Sequence, residues 1–274
     1  MKRMIALLRV ALLKRGLKLH LAKCKVQTNL EEWGLRGQVN VDDSFSVEIL
    51  PEGSSLRILG TDLDFHDVSS VAMQNRVAAA WRCFWGMKQI LQNHKISVNR
   101  RLRLFDSTVG SVVLYGCESW TPRAEELRAL EVTRRAMLRR IVGTRRFPEE
   151  EWLNWIQRVT RKAVAMAVSQ NVRNWQWAHF KSKWLWAGHV ARRPTTTWVW
   201  RVTTWRDDEW QELASTAGLG RPLRPSRRRW MKWEDALRRF CDSCGAGEWK
   251  HHAQQRDNWS TAAESFANSC CSAA

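Results

Sequence analysis

The stretch RVAAAWRCFWGMKQIL, from Arg76 to Leu91, carries the clearest structural pattern in the chain. Its apolar residues recur every three or four positions, a spacing that places their side chains on one face of an α-helix. This stripe consists of Val77, Ala80, Phe84, Met87 and Leu91. Comparable spacings recur along most of the 274 residues, so the chain is predicted to be mainly α-helical.

Further helices are expected on the C-terminal side of this stripe. NHKIS breaks the first helix, and apolar residues from Leu102 to Val112 indicate a second that ends near Gly116. Thr121 and Pro122 predict an N-cap followed by proline at the first helical position. That helix is expected to run to about Val142, where Gly143 ends it. The other helices are predicted at roughly 149–170, 172–188, 227–240 and 248–268.

The N-terminal part of the chain has a different pattern. A helix is predicted from the first residues to Gly16, and LKLHLAKCKVQT then alternates apolar and polar residues as a strand does. The segment VNVDDSFSVEILPEGSSLRILGTDL indicates short strands joined by polar turns. A small antiparallel β-hairpin region is therefore expected near residues 17–60.

The composition favours a polyanionic partner. The chain has 45 Lys and Arg against 27 Asp and Glu, which gives a formal charge of +18. Nucleic acid is the commonest partner of so basic a chain, although a basic protein with only non-specific affinity is the alternative. Eighteen tryptophans stand against one tyrosine. Most are expected to pack in partly wet crevices, and some could stack on bases.

Cysteine usage and hydropathy indicate the compartment. Seven unevenly spaced cysteines do not form a disulfide pattern, so a reducing environment, nuclear or cytoplasmic, is expected. No run of eighteen apolar residues is present, and no membrane association is predicted. Arg9 interrupts the apolar N-terminal stretch, which is therefore interpreted as a structural helix rather than a secretory signal.

Clustered arginines are the strongest candidates for contacts with nucleic acid. Arg135 and Arg139 lie four positions apart and share a helix face that could follow phosphates. The alternative is a solvated face whose arginines pair with Glu125, Glu126 or Glu131. No base-specific code is visible, so binding is expected to tolerate any sequence. The three clusters comprise Arg100, Arg101 and Arg103; Arg134, Arg135, Arg139, Arg140, Arg145 and Arg146; and Arg221, Arg224, Arg227, Arg228 and Arg229.

Cysteine and histidine near the C-terminus could provide a zinc site. Cys241, Cys244 and His251 have ligand-like spacing, and Cys270 is a distant fourth candidate. The alternative is a cysteine pair at a helix end beside surface histidines. His189 lies near no nucleophile with a recognisable partner pattern, so it is expected to be a packed or exposed histidine.

Several phrases resemble the reverse transcriptases of LINE-type, non-LTR retrotransposons, in the part that follows the catalytic palm. VVLYGCESW, Val112 to Trp120, is similar to the family's LLYG-x-E-x-W phrase. LRILGTDLD, Leu56 to Asp64, is similar to its YLG segment, with Ile58 in place of tyrosine. The other matches are GLKLHLAKCKV with His20 in place of asparagine, the helix from Arg76, LWAGHVARRP, and GRP…RRRWMKWEDAL followed by W…AQQRDNW.

The resemblance implies a truncated reverse transcriptase. It implies a palm edge with helix and β-hairpin over residues 1–68 and a helical thumb over 69–148, which in such enzymes grips the primer–template duplex. A tryptophan-rich helical region over 149–193, a basic loop or linker over 194–229 and a C-terminal helical segment over 230–274 follow. An upstream polymerase half is a candidate partner.

Two pairs of aspartates could be mistaken for catalytic carboxylates. The resemblance puts the family's YxDD-type pair before the GLKLHLAK segment, whereas Asp42 and Asp43 follow it. We interpret Asp42 and Asp43 as turn residues, and Asp207 and Asp208 as residues of a polar loop. No catalytic residue is predicted in this chain, and Mg²⁺ is expected only for the full-length enzyme.

Three hypotheses about function follow from the sequence. The first is a reverse-transcriptase fragment that binds primer–template RNA, DNA or their hybrid without sequence preference and does not polymerise alone. The second is a degenerate retroelement remnant, because a palm edge without the rest of its sheet exposes apolar surface. The third is a zinc-containing DNA-binding module over residues 221–271.

Overall fold

The computed structural model describes residues 2–20, 23–27, 37–42, 45–51, 54–63, 68–204 and 232–273. The chain divides into two compact units, Met1–Asn75 and Arg76–Ala274. Most of the described residues lie in helices, as predicted, and the strands are short and confined to the first unit. No helix in the described ranges is both long enough and apolar enough to span a membrane.

The first unit begins with α1, Lys2–Leu13. The N–H of Gly16 donates to the carbonyl of Leu13 at 3.0 Å and the N–H of Leu17 to that of Leu12 at 3.0 Å. Gly16 adopts a φ of +73°, so the predicted C-terminal stop is confirmed. Of the described residues in the strand predicted from Leu17, 17–20 and 23–27, only Lys25–Val26 form a strand, β1, so the prediction is wrong for most of these residues.

The expected hairpin is present. Strands β2, Gln38–Asp42, and β3, Phe45–Ile49, pair antiparallel with Val39 opposite Val47. The register shifts between Asn40 and Asp42. However, β1 pairs with β3 in parallel, so this sheet is mixed rather than purely antiparallel. The prediction of a purely antiparallel region is therefore corrected. A tight turn joins antiparallel strands, whereas the long stretch of chain between β1 and β3 allows these two strands to run parallel.

A second hairpin follows directly. Strands β4, Leu56–Ile58, and β5, Thr61–Leu63, pair antiparallel. Leu59 and Gly60 form the connection with φ of 49° and 81°. Two successive positive φ values are typical of a type I′ turn, whose backbone twist matches that of the two strands in a two-residue hairpin.

Helices make up all the longer elements of the second unit, with α2 beginning before the boundary between the units. A π-helical turn, Asp106–Gly110, and a single 3₁₀ turn, Cys117–Ser119, interrupt the sequence of α-helices. The α-helices are α2, Val68–Gly86; α3, Lys88–Leu91; α4, Val98–Phe105; α5, Ser111–Val113; α6, Ala124–Val142; α7, Trp152–Ser169; α8, Trp175–Ala191; α9, Trp198–Thr204; α10, Asp235–Ser243; α11, Trp249–His252; and α12, Arg256–Ala273.

The stripe from Val77 to Leu91 forms part of a core, although it is not one helix. Ala80, Phe84 and Leu91 are fully buried with Phe105 and other apolar residues of α4, α6 and α7. Met87 has φ −104° and ψ 15°, which ends α2 at Gly86 and starts the short α3. The two halves still face the same core, so the stripe correctly predicted burial while missing the break.

The start of α6 differs from the prediction. Thr121 and Pro122 lie before the helix, and Arg123 is the N-cap residue. The Glu126 carboxylate accepts a hydrogen bond from the N–H of Arg123 at 2.7 Å, as half of a capping box does. The predicted end is confirmed, because Gly143 follows Val142 with a φ of 64°.

A second core joins α8, α10, α11 and α12 around two tryptophans. The rings of Trp184 and Trp259 stack with centroids 3.7 Å apart. Each indole N–H donates to the other residue's backbone carbonyl, at 2.7 Å from Trp184 and 2.9 Å from Trp259. Both polar groups are thereby satisfied in a buried site, so two large side chains pack without an unpaired donor.

The predicted five-part division of the chain stays a prediction. The described structure places one boundary between Asn75 and Arg76, within α2, where the sequence suggested 68/69. The predicted basic loop over 194–229 contains α9, and its residues 205–229 lie outside the described ranges.

Candidate nucleic-acid interface

Arg101, one of the predicted phosphate-binding residues, is a structural residue inside the first core. Only 4% of its surface is exposed. Its Nε donates to the Ile96 carbonyl at 3.0 Å, and Nη1 donates to the carbonyls of Leu91, at 3.1 Å, and Ile141. Burial lowers the pKa of Arg101. The guanidinium joins three chain segments and is not available to a phosphate.

Arg134 is buried in the same way, with 2% of its surface exposed. Its Nε donates to the Arg173 carbonyl at 2.8 Å, and Nη1 donates to Glu131 Oε1 at 2.9 Å. Arg135 donates to the same carboxylate oxygen at 3.2 Å. The predicted alternative of glutamate pairing therefore applies to both arginines through Glu131, and Arg134 leaves the candidate surface.

The other described arginines of the clusters keep contact with solvent. Arg139 is half-buried and donates to Thr160 Oγ1 at 3.1 Å. Burial lowers its pKa, and the positive charges of Arg140 and Arg135 lower it further. The five of the third cluster, Arg221 to Arg229, lie outside the described residues. The exposed arginines are Arg100, Arg103, Arg135, Arg140, Arg145 and Arg146.

Arg140 belongs to a cluster of cations and tryptophans. Trp81 and Trp85 lie one turn apart on α2, and their rings stack at 19° with centroids 5.8 Å apart. The Arg140 guanidinium carbon lies 5.3 Å from the Trp81 centroid and 5.8 Å from that of Trp85. Lys88 Nζ lies 5.9 Å from the Trp85 centroid. We call these four residues the aromatic–basic patch.

The patch combines an aromatic ring with neighbouring cations, the two features found in binding sites for single-stranded nucleic acid. Trp85 leaves 45% of its surface exposed, so part of a large aromatic ring is open to solvent. Bases of any sequence can stack on such a ring, and cations beside it can contact the phosphates. Arg135 and Arg139 lie close enough to Arg140 for their charges to interact, since Arg135 and Arg140 both lower the pKa of Arg139. These arginines extend the positive electrostatic potential along α6.

Sequence reasoning identified Arg140 in the patch and missed the other three members. The signal was present, because Trp81 and Trp85 have the i, i+4 spacing that places two rings on one helix face. The sequence predicts that most tryptophans pack and that some could stack on bases, and it does not assign Trp81 or Trp85 to either group. The approach of Arg140 depends on how α6 packs in the fold, which the sequence does not display.

The remaining candidate residues do not form a site. Cys241 is buried, and desolvation raises the pKa of its thiol to about 11, while Cys244 is exposed. Among the described residues, which include His251 and Cys270, no three or more histidine, cysteine or acidic side chains are placed to hold a metal ion. The zinc hypothesis is therefore not carried further.

The aspartates and His189 are the other candidates, and His189 belongs to no cluster of described residues that could hold a metal ion. Asp42 was predicted to be a turn residue, but it is the last residue of β2 and pairs with Phe45 of β3, whereas Asp43, Asp207 and Asp208 lie outside the described residues. His189 is exposed and stacks on Trp186 at 5.3 Å between centroids. Its Nε2 lies 2.9 Å from Arg193 Nη2, so it interacts with a surface arginine rather than with a nucleophile.

Comparison with known proteins gives one informative likeness. The chain is 29% identical over 252 residues to an uncharacterized transposon-derived protein of Caenorhabditis elegans, F52C9.6. The alignment covers 89% of this chain and 81% of that protein. The similarity thus includes both of the compact units. No protein-family model and no solved structure matches the chain.

Proposed function

We propose that the chain is a retroelement-derived, C-terminal reverse-transcriptase segment that binds RNA, DNA or their hybrid without sequence preference. The aromatic–basic patch is the observation that carries this proposal. Its stacked tryptophans and flanking cations suit a base and its phosphate at the same time. The formal charge of +18 adds a long-range attraction for any polyanion.

A transposon origin is supported by the worm protein. The name of that protein gives it this origin, and the similarity extends over most of both chains. The finer assignment to a LINE-type reverse transcriptase rests on the phrases VVLYGCESW and LRILGTDLD and on the others quoted above. Within that assignment, α2 to α6 would be the thumb, and a patch on α2 and α6 would lie on the part that grips primer and template.

Polymerase activity is not part of the proposed function. The resemblance puts the family's catalytic carboxylates before the GLKLHLAK segment, so magnesium chemistry would belong to an upstream polymerase half. The purified chain is expected to incorporate no nucleotide on a primed RNA template with Mg²⁺ present. Template-dependent incorporation above that of a heat-denatured sample would overturn this part of the proposal.

Binding is tested by fluorescence anisotropy with labelled oligonucleotides of unrelated sequence. Single-stranded RNA, single-stranded DNA and an RNA–DNA hybrid are each titrated with wild-type protein and with Arg140→Gln. Affinities within about threefold among sequences are expected, because backbone contacts and stacking do not read bases. Arg256→Gln, which removes an exposed charge on α12, is the matched control. Equal losses in both variants would show that the patch has no special part in binding.

A degenerate remnant is the second candidate, and α1 favours it. Several of its apolar side chains expose half or more of their surface, whereas a working domain normally covers such a face. These side chains are Met4, Leu7, Leu8, Val10 and Leu13. A remnant would show no cooperative thermal transition by circular dichroism and would aggregate, while a functional segment would unfold cooperatively and bind nucleic acid.

A further inference from the structure

A cavity of about 330 Å³ lies between the start of α6 and helices α8, α10 and α12. Its size is at the lower end of the range for pockets that enclose small organic molecules. Leu127, Phe180 and Phe240 form much of its apolar wall, with Pro122 and Ala236. The cavity belongs to the second compact unit, and none of the four residues of the aromatic–basic patch lines it.

The charge in this cavity is of one sign. Lys183, Lys232 and Arg239 line it, and its described lining residues include no aspartate or glutamate. Lys183 has 2% of its surface exposed, whereas Arg239 is exposed. One cation is therefore fixed within the wall and another stands where the cavity meets solvent.

The direct contacts of the Lys183 ammonium are with neutral groups. Its Nζ donates to the Trp120 carbonyl at 3.0 Å and lies 5.4 Å from the Trp233 ring centroid. No described carboxylate lies within ion-pair distance of it. Two groups favour its charged form from a greater distance: Cys270, whose own pKa burial raises to about 11, and Asp235, whose Oδ2 accepts a hydrogen bond from the N–H of Lys232 at 2.7 Å. A buried ammonium without a counter-ion is costly, and an anion from solution would offset that cost.

We propose that this cavity binds a small amphipathic organic anion, with one carboxylate or sulfonate group on an apolar body. The headgroup lies between Lys183 and Arg239, and the hydroxyl of Ser269 on the lining is a further donor, whereas that of Ser243 already donates to the Phe240 carbonyl at 2.8 Å. The apolar body contacts Leu127, Phe180 and Phe240. This binding does not depend on nucleic acid, because its residues and those of the aromatic–basic patch are different.

The test compares two fluorescent probes of the same shape. Anilinonaphthalene sulfonate carries the anionic group, and phenylnaphthylamine is its uncharged counterpart. Each is titrated into the full-length protein at moderate salt, and stoichiometry is measured at saturation. One sulfonate probe per chain is expected, bound at least about tenfold more tightly than the neutral probe. Two cations at the headgroup, each contributing a charge-assisted contact, account for that preference.

Variants assign the binding to the cavity. Arg239→Gln is expected to weaken the sulfonate probe about tenfold and leave the neutral probe within twofold, and Lys183→Met to do the same. Because Lys183→Met could perturb folding, Arg239→Gln at the exposed mouth keeps the test decisive. Arg128→Gln, an exposed charge on α6 that does not line the cavity, is the control for net charge.

Three results would overturn the proposal. They are equal affinity for both probes, many weak sites per chain, and a sulfonate affinity that Arg239→Gln and Arg128→Gln reduce equally. The second result would instead indicate that the probe binds exposed apolar surface such as α1.

Discussion

Gly188→Ala is expected to destabilise the second core, although alanine is the better helix former. A Cβ at this position would lie 2.4 Å from Trp259 Nε1 and 2.5 Å from its Cδ1. Carbon atoms pack best at about 3.5–4.0 Å, so the ring or the helix would have to move by about 1 Å. Trp259 cannot move freely, because it stacks on Trp184 at 3.7 Å and donates to that residue's carbonyl.

The free energy of unfolding should fall by about 3 kcal/mol. Overpacking in a core costs about 1–3 kcal/mol. Loss of the Trp259 hydrogen bond leaves a buried donor and acceptor unsatisfied, at about 1–3 kcal/mol. The helix propensity of alanine over glycine returns up to about 1 kcal/mol. For a chain of this size, about 3 kcal/mol corresponds to a fall in Tm of roughly 6–12 °C.

Circular dichroism melts of Gly188→Ala and a matched control test this reasoning. Gly86→Ala adds a methyl group in open space at the end of α2, so its Tm should be unchanged or slightly raised. Trp259→Phe removes the crowded Nε1, so Gly188→Ala should cost less in that background, as a double-mutant cycle would show. A Tm of Gly188→Ala equal to or above that of the wild type would refute the account of this packing.

Two further predictions concern buried polar groups. Arg101→Met should lower the free energy of unfolding by about 2–5 kcal/mol, because three carbonyls lose their donor, whereas Arg100→Met on the exposed neighbour should change it by less than about 0.5 kcal/mol. Equal urea midpoints for the two would contradict the structural role of Arg101. Burial lowers the pKa of His179 to about 3 from 6.5, with help from the charge of Lys183. Since the unfolded chain then binds the proton more tightly, stability should fall as the pH drops from about 6.5 towards 3, by up to about 1.4 kcal/mol per unit. His179→Phe should show a shallower loss between pH 6.5 and 4.5 in urea titrations, and an unchanged slope would refute the linkage.

The sequence predicted helices and their apolar faces better than their ends. Periodicity is a local property, so Ala80, Phe84 and Leu91 were placed in a core from spacing alone. The break at Met87 and the start of α6 at Ala124 depend on backbone angles and on the Glu126 carboxylate, which no apolar pattern encodes. The short strand β1 depends on its pairing with β3, a contact distant in sequence.

Prediction of the candidate site was limited in the same way. Arginine clusters are visible in the sequence, but burial distinguishes Arg101 and Arg134 from the exposed Arg100 and Arg135. The high positive charge of the sequence therefore predicts a polyanionic partner, but it does not show which guanidinium groups are exposed enough to contact that partner. The aromatic–basic patch needed α2 and α6 side by side before Arg140 could be placed over its tryptophans.

Salt-dependent binding of single-stranded RNA to wild type, Trp85→Ala and the Arg256→Gln control tests the central claim most directly. Contacts from about six exposed arginines predict a slope of log affinity against log salt near −4 for the wild type. Loss of one stacking platform should weaken binding by about 1–3 kcal/mol in Trp85→Ala, with that slope nearly unchanged. A flat salt response, or equal affinities for wild type and Trp85→Ala, would contradict a nucleic-acid interface at this patch.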